Sequence, residues 1–210
     1  MATIKMQQLL SSRDTNPPIE YIPDFLTPSQ ALELYNHCET LAWRQNKIKI
    51  IGKTIPVPRL ECMYGDEGCD YVYSKSVLLQ PIAWTPELQQ LRLHIESSTG
   101  YRFHIVLCNR YRDGRDSNGW HADNEKSMGK SPAIASITLG QKRKFQMRQG
   151  KKGKPVDIWL EHGSLLVMHP GCQESWVHQL PKTTQPVEER INLTFRPHVK
   201  GKLATDVTDG

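Results

Sequence analysis

The sequence predicts a mainly β (α+β) fold, a jelly roll backed by two N-terminal helices. Two observations support this prediction. Helix-start signals occur twice before Gly100, and beyond it the chain consists of short strand-like segments separated by turn residues at fairly regular intervals. Two helices followed by about seven or eight strands are typical of packed antiparallel sheets with helices on one side.

The first helix is predicted to begin at Pro28. Thr27 can cap its first turn, proline suits the first helical position, and Gln30 can complete a capping box. We expect the helix to run to about Trp43, because apolar residues recur with helical spacing that far. Its buried face would consist of Leu34, Cys38, Leu41 and Ala42.

The second helix is predicted to follow the capping residue Thr85 and to end near Gly100. Its buried side would consist of Leu88, Leu91 and Ile95. Beyond this helix, short runs of apolar and β-branched residues bounded by turn residues predict strands. The expected strand ranges are 103–111, 134–139, 144–148, 156–160, 164–168, 176–180 and 190–196.

The segment 47–76 alternates short apolar pieces with Gly and Pro, and a hairpin is predicted around Gly52. An irregular stretch that contains one arginine and three tyrosines follows. These side chains could form a stacking lid over a nucleic-acid base. They could also simply pack the hairpins onto the core, which is the simpler interpretation. The residues concerned are Arg59, Tyr64, Tyr71 and Tyr73.

Length and composition suit one domain. The 210 residues are 38% hydrophobic and 23% charged, which is ordinary for a soluble globular protein. We expect a single domain over 19–197, in which helices and irregular pieces (19–100) pack on a jelly-roll core (101–197). A flexible arm, 1–18, and a flexible tail, 198–210, would flank this domain.

Charge and cysteine content narrow the class of protein further. The net charge is +5, a mild preference for polyanions that does not by itself indicate nucleic-acid binding. The five cysteines are scattered and lack C-x-x-C spacing, so zinc knuckles and redox motifs are not supported. Free thiols and the lack of a long apolar segment predict a soluble, intracellular protein with no membrane association.

His121 and Asp123 stand two residues apart, so on an extended strand their side chains would point to the same face. With a second histidine they would form the two-His, one-carboxylate set that is typical of non-haem Fe(II) oxygenases. Because the chain has eight histidines, a chance pairing of solvated loop residues is the alternative. His178, inside a predicted strand, is the best placed of the downstream candidates His162, His169, His178 and His198.

The last predicted strand alternates strictly between apolar and polar residues. A half-buried strand with a wet polar face is the default interpretation. Alternatively, the polar face lines a cavity inside the jelly roll, where two guanidiniums and an amide would bind carboxylates. That face consists of Arg190, Asn192, Thr194 and Arg196. Asn109 and Tyr111, on one face of another predicted strand, could offer an amide and a phenol to the same cavity.

Taken together and in order, these motifs resemble those of the AlkB family of nucleic-acid demethylases. The resemblance covers at least residues 58–196 and includes Pro58-Arg59-Leu60 and Tyr64-Gly65, which are similar to the lid of the family's repair members. Asn124 departs from the family pattern, in which Asp is common. The principal motifs are Asn109-Arg110-Tyr111, His121-x-Asp123-x-Glu125, Ser136-Ile137-Thr138-Leu139-Gly140, Glu161-His162-Gly163, His178 and Arg190-x-Asn192-Leu193-Thr194-Phe195-Arg196.

The resemblance implies a double-stranded β-helix with a nucleotide-recognition lid, and a dioxygenase that uses Fe(II), 2-oxoglutarate and O2. It implies that the iron ligands are His121, Asp123 and His178. It also implies that 2-oxoglutarate is bound through one carboxylate by Asn109, Tyr111 and Arg190, and through the other by Asn192 and Arg196. The implied reaction is oxidative demethylation of bases such as 1-methyladenine and 3-methylcytosine, with release of formaldehyde and succinate.

The implied substrate is alkylated DNA or RNA, and single strands are favoured because a base leaves a single strand at lower cost. The residues expected to contact the substrate are Arg59, Tyr64, Tyr71, Tyr73 and Glu125. Among them, Tyr64 is expected to stack on the base and Glu125 to accept from an exocyclic amine. We expect a monomer. Alternative functions are a hydroxylase or demethylase of a protein or small molecule, and a non-catalytic nucleic-acid-binding relative.

Overall fold

The computed structural model describes residues 16–50, 52–73 and 77–200. The helices in this part of the chain are α1 (Pro28–Glu39), α2 (Pro86–Thr99) and α3 (Cys172–Ser175), and a 3-10 turn spans Lys126–Met128. The strands are β1 (Ile19–Ile22), β2 (Lys47–Ile50), β3 (Lys53–Pro56), β4 (Leu60–Gly65), β5 (Tyr71–Tyr73), β6 (Val77–Leu79), β7 (Ile105–Tyr111), β8 (Asn118–His121), β9 (Ile134–Gly140), β10 (Arg143–Gln149), β11 (Val156–Leu160), β12 (Ser164–Met168), β13 (Trp176–Leu180) and β14 (Arg190–Arg196).

Strands β7 to β14 form the predicted jelly roll, a double-stranded β-helix. One sheet has the order β1-β12-β9-β14-β7-β4 and the other the order β11-β10-β13-β8. The eight core strands are thus divided equally between two antiparallel sheets, and β1 and β4 extend the larger sheet at its two edges. The separate hairpins β2–β3 and β5–β6 precede the core, and Gly52 has a φ of 76° in the predicted turn of the first.

The helices cover one face of the larger sheet. Leu34 of α1 and Leu88 and Ile95 of α2 belong to one buried apolar cluster with residues of β7, β9 and β14. A second cluster fills part of the space between the two sheets, with members from both. Because the larger sheet is buried on both faces, polar side chains on its inner face must line an enclosed space or pair with each other.

Helix α1 starts as predicted but ends earlier. Both halves of the capping box are present, between the Thr27 side chain and Gln30. The helix ends at Glu39 rather than near Trp43, because the chain turns at Thr40 and the Trp43 indole N–H donates to the carbonyl of Cys38. Helix α2 confirms its prediction, with Thr85 as N-cap and Gly100, at a φ of 76°, as C-cap.

Three residues of the predicted tail, 198–200, belong to the described part of the chain. Residues 201–210 lie outside the described part of the chain, as do 1–15 of the predicted arm. His198, however, is buried, and its ring nitrogen contacts the carbonyl of Asp70 at 3.0 Å. In addition, the amide of Val199 donates to the carbonyl of Ser127. Within the described ranges, no helix has the length and apolarity needed to span a membrane.

All five cysteines are free and buried. Burial raises the pKa of Cys38 and of Cys172 to about 12 and that of Cys69 to about 11. Because folding favours the protonated thiols, their contribution to stability is present below the unfolded pKa of about 8.5 and lost as pH rises above it.

We therefore expect the native protein to react slowly with a thiol reagent at pH 8 and to lose stability between pH 9 and 11. Reagent uptake with and without denaturant, and unfolding midpoints across this pH range, measure both effects. Fast uptake of several equivalents by the folded protein would contradict the expectation.

Candidate active site

Two histidines lie next to each other on neighbouring strands of the four-stranded sheet. His121 ends β8 and His178 lies in the middle of β13, and the two are direct partners in the antiparallel ladder. Their ring centroids are therefore only 4.3 Å apart. Asp123 follows two residues after β8, with one carboxylate oxygen 3.8 Å from Nε2 of His121 and the other 3.9 Å from Nε2 of His178. The three candidate ligand atoms all lie within 4.8 Å of one another.

The electrostatics of these groups suit a metal ion. Burial and the neighbouring His121 lower the pKa of His178 to about 3, so its ring is neutral at pH 7. Burial acts to raise the pKa of Asp123, but the nearby Arg196 guanidinium, which donates a hydrogen bond to the carboxylate, holds this pKa below its ordinary value. Neutral imidazoles and an ionised carboxylate are the forms that bind a metal. The donor set of two imidazoles and one carboxylate therefore fits Fe(II).

The polar face of β14 lines a cavity beside these three residues. All seven residues of β14 are buried, and the apolar ones pack towards the helices. Therefore the strand has no wet face, and the cavity interpretation is the correct one. The cavity has an empty volume of about 570 Å³, counted with the open solvent at its mouth. Its polar lining includes Asn109, Tyr111, Ser136, Arg190, Asn192, Thr194 and Arg196.

Two arginines bring positive charge into this cavity. Arg190 donates to the Thr138 hydroxyl at 2.8 Å and lies over the Tyr111 ring at 5.5 Å. Burial lowers the pKa of Arg190 to about 10, which leaves it cationic at neutral pH. Arg196 donates to Asp123 at 2.8 Å, yet its Nε and Nη1, like Nε of Arg190, are buried without a hydrogen-bond partner. Carboxylates of a bound ligand would satisfy these buried cationic donors.

The sequence profile of the 2OG-Fe(II) oxygenase superfamily matches residues 18–196. The chain belongs to this superfamily. His121 and His178 lie on strands of the double-stranded β-helix, and Asp123 lies just beyond the end of β8, all inside the matched range.

Relatives of this oxygenase include AlkB homologues. It is 40% identical over 170 residues to the alpha-ketoglutarate-dependent dioxygenase alkB homolog 3 of Rattus norvegicus, covering 76% of this chain and 56% of the rat protein. It is 37% identical over 172 residues to the DNA oxidative demethylase ALKBH2 of Mus musculus, covering 78% of this chain and 72% of the mouse protein. The chain thus belongs to the AlkB family, although it spans little more than half of the rat relative's length.

A solved structure supports the fold. The structure of OsALKBH1 matches this oxygenase with a TM-score of 0.63 at 15% identity, and the match covers 88% of this chain and 100% of that chain. At this identity the likeness shows a shared fold alone.

Arg59 supports the cavity wall of the oxygenase. Its Nε donates to Oδ1 of Asn109 at 2.9 Å, and its Nη2 lies 2.6 Å from the buried carboxylate of Glu61. The remaining terminal nitrogen donates to the carbonyl of Ser117. Arg59 thus lines the cavity with all three of its nitrogens in contact with the protein, and its predicted role in substrate binding stays a prediction. Because the side-chain oxygen of Asn109 accepts from Arg59, the N–H2 group of Asn109 is left to donate to another partner.

Several residues that line the cavity or contact its lining were given no individual role from the sequence. Ser136 and Thr138 accept from Asn192 and Arg190 across the β9–β14 ladder. Their signal was present, because two hydroxyl residues alternate with apolar ones in a strand that is otherwise hydrophobic. Gln173, which contacts the backbone of Asp123, carried no such signal. The apolar lining was not predicted either and consists of Leu107, Phe145, Met168 and Leu180.

The packing of Tyr64 contradicts its predicted role as a base-stacking residue opposite His121. Tyr64 pairs with Val106, and both belong to the apolar cluster on the helix side of the larger sheet. Side chains alternate along a strand, so the neighbouring Met63 occupies the inner side instead. Tyr64 is 5% exposed, and its hydroxyl accepts from the amide of Ala42 at 3.2 Å.

Replacing Tyr64 with phenylalanine should therefore leave catalytic turnover unchanged. It should lower the free energy of unfolding by about 1 kcal/mol, because the amide of Ala42 loses a hydrogen-bond acceptor. Steady-state rates on methylated oligonucleotides and chemical denaturation measure the two effects. Because phenylalanine can still stack, Tyr64→Leu is made in parallel, and a large loss of turnover in a folded Tyr64→Leu variant would restore the stacking role.

Two other predicted substrate residues do lie beside the metal site. Tyr71 is buried, with the Arg196 guanidinium 5.1 Å from its ring centre. Its hydroxyl donates a hydrogen bond to Glu125. Burial is the main cause that raises the pKa of Tyr71, and the nearby acidic groups add to it. One carboxylate oxygen of Glu125 is buried without a partner. The side chain of Tyr73 lies outside the described part of the structure, so its predicted role stays a prediction.

Proposed function

We propose that this protein is an Fe(II)/2-oxoglutarate-dependent dioxygenase that removes N-methyl groups from bases such as 1-methyladenine and 3-methylcytosine in DNA or RNA. One observation carries the proposal. A two-His, one-carboxylate cluster opens into a cavity with buried arginine donors, in a chain of the AlkB family. The residues that would bind a metal ion and those that would bind a dianionic cosubstrate line the same cavity, so the cosubstrate could chelate the metal.

The iron would be held by His121, Asp123 and His178. When bound, the iron and 2-oxoglutarate supply the oxidising chemistry that an unreactive methyl group requires, with dioxygen as oxidant. The residues of the chain have other tasks. Arg196 stabilises the ionised form of Asp123 through a direct hydrogen bond, and burial keeps His178 neutral. Both effects preserve the ligand forms at neutral pH.

The cosubstrate would lie with its carboxylates on the two arginines. Arg190, with Asn109 and Tyr111, would bind one carboxylate, and Arg196, with Asn192, the other. The amide of Asn192 donates to Ser136 and to the carbonyl of Ile137, so a carboxylate would bind Asn192 by replacing the acceptor of one of these two bonds. The cavity side chains Asn109, Arg190 and Arg196 are buried, and charge-assisted hydrogen bonds are stronger in such an environment than in water.

The methylated base would enter from the side of Glu125 and Tyr71. The partnerless carboxylate oxygen of Glu125 can accept from the exocyclic amine of adenine or cytosine. A base must leave its stack to reach this site, which costs less in a single strand, so single-stranded substrates should be favoured. We further propose that the protein acts as a monomer. Arg59 is proposed to contribute through the cavity wall, and Tyr73 through the lid.

The test offers methylated and matched unmethylated oligonucleotides to the protein with iron, 2-oxoglutarate and air. Formaldehyde, succinate and base identity are measured, with single- and double-stranded DNA and RNA in parallel. Formaldehyde and repaired bases only from methylated strands support the proposal. Succinate without any change in the oligonucleotides would replace it with action on a protein or small molecule. No turnover with any substrate would indicate a non-catalytic relative.

A further inference from the structure

Asp123 lies beyond the end of β8, and residues of other elements hold it in place. Strand β8 ends at His121, so the ladder with β13 does not extend to Asp123. Its backbone amide is nevertheless buried, and it donates to Oε1 of Gln173 at 2.8 Å. The carboxylate is held from the opposite element by Arg196 of β14. One metal ligand is thus fixed at two points, its backbone by Gln173 and its side chain by Arg196.

The amide of Gln173 has a single orientation available. It is only 2% exposed, and its Nε2 contacts the sulfur of Met168 at 3.3 Å. Only the amide oxygen can accept from the backbone N–H of Asp123, so a flipped amide would place two donors against each other. Because both ends of the amide are engaged, Gln173 holds the Asp123 backbone at a defined position.

The helix that carries Gln173 also connects to the other side of the site. Helix α3 ends at Ser175, and β13, with His178, begins at the next residue. Just before α3, the amide of Gly171 donates to the hydroxyl of Ser131 at 2.7 Å. Ser131, in the loop that follows Asp123, has a φ of 54°, the only positive φ of a non-glycine residue in the described ranges. The bonds to Gln173 and Gly171 therefore tie the Asp123 loop to the segment leading to His178.

We propose that Gln173 is a positioning residue of the metal centre, which holds Asp123 in register with His178 and thereby sets the affinity of the site for a divalent metal. This inference rests on the proposed iron site. Partners outside the ligand set typically change metal affinity by roughly 10- to 100-fold when they are removed. Gln173 has the position of such a partner, because it contacts one ligand directly and precedes another by five residues.

The experiment measures metal affinity without turnover. Mn(II) and Co(II) are titrated into the metal-free protein of 210 residues, and the visible spectrum of bound Co(II) reports its coordination. Gln173→Met keeps the length of the side chain but removes the acceptor, and should weaken binding of both metals by roughly 10- to 100-fold. Gln173→Glu keeps an acceptor for the Asp123 amide, and should bind within about threefold of the parent.

A matched control is Gln179→Met, because Gln179 adjoins His178 but bonds to Gln146 on the other face of β13. It should bind metal as the parent does. Gln173→Asn retains the amide group but is too short to reach the Asp123 backbone, so it should behave like Gln173→Met. It replaces Gln173→Met in the test if that variant does not fold. Parent-like affinity and Co(II) spectrum in folded Gln173→Met or Gln173→Asn would overturn the proposal.

The same titration separates this inference from the proposed iron site. His121→Ala removes a candidate ligand directly. If it binds metal like the parent, the iron site itself is wrong and the Gln173 proposal falls with it. If His121→Ala loses binding while the Gln173 variants do not, only the positioning role fails. Loss in His121→Ala together with loss in Gln173→Met and retention in Gln173→Glu supports both.

Discussion

Replacing His121 with alanine is expected to abolish iron-dependent demethylation while the protein stays folded. His121 belongs to the one three-residue metal-binding cluster found within the described ranges, and only two ligands would remain. Since loss of an outer partner already costs roughly 10- to 100-fold in metal affinity, loss of a ligand should cost more than about 100-fold. Its side chain is 27% exposed, so the truncation leaves no large cavity in the core.

Formaldehyde release, metal affinity and the unfolding midpoint should be measured together for this variant. His169→Ala is a suitable control, because His169 is another downstream histidine that contacts Tyr101 rather than the cluster. It should retain parent-like turnover. If His121→Ala keeps its activity, the ligand assignment is wrong. If His121→Ala and His169→Ala lose activity equally, the loss reflects damage to the fold and not to the iron site.

Replacing Arg190 with methionine is expected to raise the KM for 2-oxoglutarate by about 30-fold or more, with much less effect on kcat at saturation. Removing one partner of a buried charge pair costs at least about 2 kcal/mol, which corresponds to this factor. The cosubstrate-free protein should not lose stability, since the buried guanidinium is desolvated and an apolar side chain of similar size avoids that cost. Arg190→Lys should be intermediate, because it keeps the charge but lacks the planar fork.

The measurement is the dependence of succinate formation on 2-oxoglutarate concentration, together with a thermal unfolding curve. Arg115→Ala is the control, because the Arg115 side chain is 89% exposed and pairs with Asp113 at the surface. An unchanged 2-oxoglutarate KM in Arg190→Met would show that Arg190 does not bind the cosubstrate. A fall in kcat with unchanged KM would assign it a different task.

The metal cluster could be predicted only in part from the sequence. The i, i+2 spacing of His121 and Asp123 indicated a shared face, and strand context favoured His178 over three other histidines. Spacing along the chain could not show that His178 is the ladder partner of His121, because β8 and β13 are separated by more than fifty residues of sequence. Pairing between distant strands depends on the closure of the whole jelly roll.

Tyr64 and the last strand show that the sequence does not reveal which face of a strand is directed towards the cavity. Alternation along β14 was visible in the sequence, but whether its polar face met water or a cavity depended on what covered it. In Tyr64 the same ambiguity led to a wrong prediction, since a one-residue change of register moves a side chain to the other face. The register of β4 against β7 places Tyr64 with the helices.

The sequence by itself determined the local features of this protein: both helix starts, seven core strands, and the types of side chain available for a metal and a dicarboxylate. These follow from short-range rules of capping, periodicity and ligand chemistry. The tertiary structure alone decided which face of each strand became the cavity, and which remote residues support the ligands. Gln173 illustrates the reason: its role depends on an amide fifty residues away in sequence, and no pattern along the chain encodes that contact.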